Sequence, residues 1–264
     1  MDATLWFGPY RLIRELRPAR IGPSPTDTIR RWAAVHDRDR TGHLVYSLGP
    51  ARDRFTKKRM LAAAEAVVPL RQAHVLALSC YALSDRLGMC LVAPYPGHQS
   101  GVLTLADLLQ EKGGRFSLPE AQRAARHLLE ALAAVHAAGV ADGALGADRV
   151  QVDPRGSLLL ELPGLHRALR RRGPAQDEDY RADVRALCSM VGVLISGVPQ
   201  QGEPAPQPEQ LWRSWLARGA DKVEGFASAA AALAALPGAP APPPAPPGIV
   251  RTFIDRIRGA LPLL

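Results

Sequence analysis

The chain has 264 residues, 47% of them hydrophobic and 5% aromatic, and it carries a formal net charge of +8. It is long enough to bury a substantial core, and no apolar run reaches the roughly 20 residues of a membrane-spanning helix. The low aromatic content argues against a base-stacking surface for nucleic acid. Cys80, Cys90 and Cys188 lack metal-ligand spacing, so we expect no metal site. We also expect a cytoplasmic protein that needs no cofactor.

Strand patterns dominate the first part of the chain. Alternating or continuous apolar patterns of strand length occur at residues 10–16, 30–48, 75–83 and 87–95. The second of these segments predicts a hairpin around the turn at residues 39–42. The segment 54–70 predicts one helix by its Ala, Leu and Met content. We therefore predict a unit of five strands and one helix over residues 1–96.

Helical patterns dominate from residue 97 to residue 236. Ser117 and Glu120 have the spacing of a capping box and predict the start of a long helix. Apolar periodicity or a high Ala content predicts further helices at residues 181–198, 209–220 and 226–236. The segment 181–198 is apolar on most sides, so we expect it at the centre of this unit.

The last part of the chain has a different composition. Residues 237–248 are rich in Pro and predict a stiff linker. In residues 249–264 the apolar side chains fall on one face of an amphipathic helix. The candidate contact residues on that face are Phe253, Ile254, Ile257 and Leu261. Such a helix docks on the preceding unit, fills a groove of a partner protein, or lies on a membrane surface, and the sequence leaves these alternatives open.

The order of these segments resembles the protein kinase family, and in particular bacterial Ser/Thr kinases, over roughly residues 8–236. The segments "FGPYRLIREL" and "HDRDRTGHLVY" are similar to the first three strands of that family. The segment from "LTLADLLQ" to "AAVHAAGV" is similar to the two helices that lead into its catalytic loop. The resemblance implies an α+β, protein kinase-like bilobal fold, with a small antiparallel β-sheet N-lobe that carries one helix and a larger, mainly helical C-lobe.

The catalytic loop of the family, His-Arg-Asp-Leu-Lys-Pro-x-Asn, aligns without a gap with "DGALGADR" of this chain. Asp142 then stands at the His position, Ala144 at the position of the catalytic Asp, and Gly146 at that of the Lys. Arg149 replaces the Asn that binds magnesium. Phosphoryl transfer needs a carboxylate near the accepting hydroxyl and oxygen ligands for magnesium, and these replacements supply neither.

Other positions of the family's site are altered too. Its Asp-Phe-Gly motif aligns with "LPG", so Leu162 replaces the metal-binding Asp while Gly164 is retained. Leu48 takes the place of the phosphate-binding Lys, and Ala63 takes the place of the Glu that pairs with it.

Two acidic residues near this site have different expected roles. Glu161 is one residue out of register, and we expect it to face away from the site, because neighbouring residues of a strand point to opposite faces. Asp183 matches the helical Asp that holds the catalytic loop in the family, so the resemblance implies a structural role for it. From the replacements as a whole we predict a pseudokinase that is not an enzyme.

The expected function is regulatory or scaffolding, through a protein partner such as an active kinase or another signalling protein. Arg167, Arg170, Arg171 and Arg172 lie where a kinase displays its activation segment, and their guanidinium groups suit phosphate or an acidic partner. The alternative is that the acidic segment 177–179 neutralises them. Two further functions stay open. One is a degenerate kinase that still binds ATP, although the replaced residues of the kinase site do not favour ATP binding. The other is a basic platform for anionic lipid or nucleic acid.

Overall fold

The computed structural model describes residues 5–50, 53–84, 86–97, 103–170, 174–197 and 210–238. The predicted helix over residues 249–264 and the linker from residue 239 onward lie outside these described residues. The unit boundaries that we placed at residues 96 and 236 stay predictions.

Six antiparallel strands form the sheet of the N-lobe, in the order β1-β2-β3-β4-β6-β5. They are β1 (Trp6–Phe7), β2 (Tyr10–Arg20), β3 (Thr28–His36), β4 (Gly42–Ser47), β5 (Cys80–Ser84) and β6 (Gly88–Pro94). The helix α1 (Arg54–Val67) begins after Asp53, whose carboxylate accepts a hydrogen bond from the backbone N–H of Thr56 at 2.7 Å. The sequence did not predict β1, because two residues are too few to show alternation.

Alternation along the strands divides the side chains of this sheet between two faces. Val45 of β4 and Val92 of β6 are register partners, and both pack with Trp32 in a separate apolar cluster. Tyr46 points to the opposite face and belongs to the main core, which the helices share. Arg31 of β3 is the register partner of Tyr46, so both side chains are directed toward the C-lobe.

The C-lobe is mainly helical. Its helices are α2 (Leu105–Glu111), α3 (Leu118–Ala137), α4 (Leu165–Leu169), α5 (Asp177–Ser196), α6 (Gln210–Ala220) and α7 (Ala229–Ala234). A small antiparallel sheet consists of β7 (Leu103–Thr104), β8 (Val150–Val152) and β9 (Leu158–Leu160), in that order.

The helices α3 and α5 form the centre of the C-lobe. The predicted capping box is confirmed at the start of α3, where the backbone N–H of Ser117 donates to the carboxylate of Glu120 at 3.0 Å. Leu132 of α3 and Leu187 of α5 are fully buried, so the predicted central position of the second helix is also confirmed. None of the helices in the described part of the chain is both long and apolar enough to cross a membrane.

Candidate functional site between the lobes

Asp183 of α5 fixes the loop between α3 and β8. Its carboxylate accepts hydrogen bonds from the backbone N–H groups of Asp142 and Gly143, both at 2.7 Å. Nε2 of His136 lies 3.0 Å from the same carboxylate, and Asp183 is buried. Asp183 therefore makes the kind of charge-assisted contact with the loop backbone that the resemblance implies.

A buried ion pair joins the two ends of this loop. Nη1 of Arg149 lies 2.5 Å from Oδ2 of Asp142, and the two side chains are only 1% and 0% exposed. Arg149 also donates to the carbonyl oxygens of Glu161 and Leu162, at 3.3 Å each. Burial raises the pKa of Asp142, and the charge of Arg149 opposes this shift. A guanidinium group thus stands where the resemblance would place a metal ligand.

Glu161 faces the cleft between the lobes, contrary to our expectation. It lies one residue beyond the end of β9, so the alternation of that strand does not fix its direction. Its Oε1 accepts hydrogen bonds from Nη1 of Arg31 at 2.8 Å and from the hydroxyl of Tyr46 at 2.6 Å. Nε2 of Gln151 on β8 donates to the same oxygen at 2.5 Å. A carboxylate of the C-lobe therefore binds two side chains of the N-lobe sheet.

These four residues, Arg31, Tyr46, Gln151 and Glu161, form what we call the interlobe cluster. All four residues are buried. Burial and the nearby carboxylate of Glu161 raise the pKa of Tyr46 well above its usual range, so the hydroxyl stays protonated and donates. The cluster therefore places four buried polar side chains between the lobes.

Sequence reasoning missed Arg31 and Gln151 as residues of this site. Arg31 directly follows Arg30 within a predicted strand. Because neighbouring strand residues point to opposite faces, this pair could have indicated that one of the two arginines faces the interior. Gln151 gave a comparable signal, as a polar residue between Val150 and Val152 in a short apolar strand.

Ion pairs also connect the lobes nearer to solvent. Arg17 on β2 pairs with Asp107 on α2 at 3.1 Å, and Arg20 pairs with Asp148 at 2.8 Å. These pairs are partly exposed, so each contributes little on its own. Together they hold the end of β2 against the C-lobe, at the edge of the cleft.

The remaining loop and helix positions of the predicted site make structural contacts. Leu48 is half-buried against the main core, and Ala63 on α1 is buried within it. The backbone N–H of Ala144 donates to Asp142 at 3.3 Å. Gly146 directly precedes the short turn of helix at Ala147–Arg149.

The segment that aligns with the family's Asp-Phe-Gly has an unusual backbone. Leu162 has a φ of 48°, in the left-handed region, and its side chain is buried. This conformation costs an ordinary residue roughly 1–2 kcal/mol. Gly164 has a φ of 74°, and a Cβ built there would lie 2.3 Å from the side chain of Val140. Gly164 is therefore required for the turn into α4.

The two described arginines of the predicted partner-binding patch have acidic partners in this chain. Arg167 pairs with Asp179 at 2.7 Å, and Arg170 pairs with Asp27 at 3.3 Å. These contacts favour the alternative in which the chain's own acidic residues neutralise part of the patch. The side chain of Arg170 is still 65% exposed. The other candidate contact residues, Arg171, Arg172, Phe253, Ile254, Ile257 and Leu261, lie outside the described residues.

This arrangement does not fit a magnesium–nucleotide complex held as in the kinase family. Asp142 and Glu161 are each paired with a buried guanidinium group, and a positive charge at that distance repels a metal cation. Leu48 and Leu162 offer no charge to phosphate or metal. Within the described ranges, no group of three or more His, Cys, Asp and Glu side chains is suited to hold a metal ion.

The chain matches no family model and no curated protein. Its fold, however, is similar to solved structures of the PknI kinase domain from Mycobacterium tuberculosis. One of them covers 89% of this chain and 98% of that domain, with a TM-score of 0.64 and 17% identity. A double mutant of the same domain gives a TM-score of 0.66 and 18% identity over the same shares. The likeness confirms the α+β, protein kinase-like bilobal fold.

This likeness contradicts our prediction that the chain is not an enzyme. Structures described as those of a kinase domain match the chain along almost their whole length. The prediction relied on replaced side chains and on a Glu161 that faces away from the cleft, whereas its carboxylate lies inside the cleft. The prediction is wrong, because replacements at aligned positions do not exclude activity in a fold that is retained.

Proposed function

We propose that this chain is a regulatory, protein-binding module built on the kinase fold, whose lobes are joined by its own side chains. The observation that carries the proposal is the interlobe cluster, in which Glu161 of one lobe binds Arg31 and Tyr46 of the other. Hydrogen bonds to a charged group are among the stronger ones, and exclusion of water strengthens them further. The lobes therefore hold a fixed relative position without a nucleotide.

A fixed arrangement of the lobes supports a binding role. A surface that is already rigid loses less conformational entropy when a partner binds, so more of the contact energy appears as affinity. The proposed contact on this arrangement is the exposed side chain of Arg170. Arg171, Arg172 and the predicted apolar face of residues 249–264 lie outside the described residues and are proposed from the sequence alone. The partner would be another signalling protein, such as an active kinase.

Thermal melting tests whether the cleft is closed to nucleotide. The purified protein is melted alone, with millimolar ATP and magnesium, and with ATP and EDTA. A ligand at 100 times its Kd stabilises a protein by about 2.7 kcal/mol and raises Tm by a few degrees. We expect no increase in Tm under either condition, and an increase with ATP would contradict a cleft filled by the interlobe cluster.

The binding role itself is tested by cross-linking capture from the cytoplasm of the source cells. The proposal predicts that a defined protein is retained by the wild type and lost with the double variant Arg170→Glu/Ile257→Asp. Arg14→Glu controls for the reversal of a surface charge, because Arg14 is exposed on β2, outside the proposed contacts. Equal capture by all three proteins would contradict the proposed surface.

The likeness to the PknI kinase domain favours a second candidate function, in which an opened form binds ATP and transfers phosphate. The carboxylate of Glu161 in the cleft is the acidic group available to such a form. Tyr46→Ala removes a ring from the cleft, and Tyr81→Ala on β5 is a control in the same lobe. ATP-dependent stabilisation and transfer of labelled phosphate by the Tyr46→Ala protein, but not by the control, would support this second function.

A further inference from the structure

A second concave site lies on the C-lobe, outside the interlobe cluster. It encloses about 240 Å³ between α3, the segment that follows α2, and the turn between β8 and β9. The α3 residues that line it are Glu120, Arg123, Ala124 and His127. They are three, four and seven positions apart, so they share one face of the helix. We call this site the basic groove.

The floor of the basic groove is apolar. Phe116, Ala124 and Leu158 are buried beneath it, and half-buried Leu108 completes the lining. Sites that enclose a whole small molecule usually measure roughly 300–1,000 Å³. The smaller volume here suits one apolar side chain that belongs to a larger ligand.

The rim of the basic groove carries positive charge. Lys112 is compensated by Glu120, since Nζ lies 2.6 Å from Oε1 of that carboxylate. Arg123 and Arg155 are exposed, and neither forms an ion pair with any described residue. Asp153 contributes its carboxylate to the adjacent turn, where it accepts from the backbone N–H groups of Arg155 and Ser157. Two guanidinium groups are therefore available to a ligand.

His127 adds a neutral donor to this wall. Its Nδ1 accepts a hydrogen bond from the backbone N–H of Leu158 at 3.4 Å. Burial, with the neighbouring side chains of His74 and Arg123, lowers the pKa of His127 to about 4. The ring is therefore neutral at pH 7, with its proton on Nε2.

We propose that the basic groove binds an acidic peptide segment of a partner protein, with one apolar side chain on the floor and carboxylates at Arg123 and Arg155. This inference rests on the proposed function, because it takes the ligand to be a protein. Charge complementarity selects the occupant. Residues 249–264 contain three Arg and one Asp, so this segment lacks the required negative charge. A second copy carries a net charge of +8, and its overall charge would oppose an approach to the positive rim.

Fluorescence anisotropy with synthetic peptides tests the proposal on the full chain. The probe is a fluorescein-labelled peptide of Glu and Asp around a central Leu-Phe pair. One comparison peptide has Ser-Ser at the centre, and another has Lys in place of every acidic residue. The test variant is Arg123→Glu/Arg155→Glu. Its matched control is Arg14→Glu/Arg86→Glu, which changes the net charge equally at two exposed N-lobe positions.

We expect the acidic Leu-Phe peptide to bind the wild type and the control variant alike. Binding to Arg123→Glu/Arg155→Glu should be about tenfold weaker, as two reversed rim charges would give. The Ser-Ser peptide should also bind about tenfold more weakly to the wild type, and the Lys peptide should not bind. Equal weakening in both double variants, equal binding of the Ser-Ser peptide, or no binding at all would overturn the proposal. Failure here, together with retained capture of a partner that depends on Arg170 and Ile257, would refute the groove and leave the proposed function standing.

Discussion

Two consecutive arginines on β3 show how burial changes the contribution of an Arg–Glu ion pair to stability. Arg30 pairs with Glu15 at 2.8 Å, and the side chains are 58% and 47% exposed. Arg31 pairs with Glu161 at the same distance, but these side chains are 4% and 0% exposed. An exposed pair contributes at most about 1 kcal/mol, whereas breaking a buried pair leaves an unpaired charge away from water.

Glu161→Ala should therefore lower the free energy of unfolding by about 3–5 kcal/mol, because it leaves Arg31 and Tyr46 buried without their acceptor. Glu15→Ala is the matched control and should cost less than about 1 kcal/mol. Urea unfolding at pH 7 measures both changes.

The double variant Arg31→Met/Glu161→Met separates the charge effect from lost packing. Removing both charges together should recover most of the stability lost in Glu161→Ala, because no buried charge is left unpaired. An equal loss in the Glu15→Ala and Glu161→Ala proteins would show that the buried pair has no special role.

His127 gives a pH-dependent prediction at the same scale. Its pKa in the folded protein, about 4, lies below its usual value of 6.5, so between these pH values the folded state binds fewer protons than the unfolded state. Its contribution to stability is complete above pH 6.5 and is lost as the pH falls toward 4. NMR titration of the imidazole should give a midpoint near pH 4, and His127→Gln should remove this part of the pH dependence. A midpoint near 6.5 would contradict the burial of the ring.

At the scale of elements, the loop between α3 and β8 depends on a helix that is distant in sequence. Asp183 of α5 accepts hydrogen bonds from the backbone of two loop residues. Asp221 makes a similar pair of contacts with the backbone of Val223 and Glu224, but on the surface and within its own turn. The two carboxylates therefore differ mainly in burial and in the elements that they connect.

Asp183→Asn should lower the unfolding free energy by about 2–3 kcal/mol, the value of hydrogen bonds to a buried charged group. Amide hydrogen exchange of Asp142 and Gly143 should become faster. Asp221→Asn should change stability by less than about 1 kcal/mol, because water replaces its contacts. Unchanged exchange in the Asp183→Asn protein would show that the loop is held by other contacts.

The elements themselves were largely predictable from the sequence. The helices α3 and α5 follow from apolar periodicity, and the capping box at Ser117 marks the start of α3. The direction of Glu161 was not predictable, since strand alternation applies only within the strand and this residue lies just beyond β9. Partners such as Arg31 and Glu161 are 130 positions apart, and no local pattern connects them. Local sequence patterns therefore predict the helices and strands, whereas the side-chain contacts between the lobes are known only from the three-dimensional structure.

At the scale of the molecule, the lobes are connected at two levels. The interlobe cluster joins them in the buried part of the cleft, while Arg17–Asp107 and Arg20–Asp148 join them nearer to solvent. Added salt weakens the exposed pairs more than the buried cluster. The lobes should therefore stay coupled at high ionic strength.

Scanning calorimetry of the nucleotide-free protein tests this coupling most directly. We expect a single transition in which the calorimetric and van't Hoff enthalpies agree, because the two lobes unfold together. Glu161→Ala, which breaks the buried connection, should lower Tm or split this transition. Two separate transitions in the wild-type protein, one for each lobe, would contradict the claim that the interlobe cluster couples the two lobes.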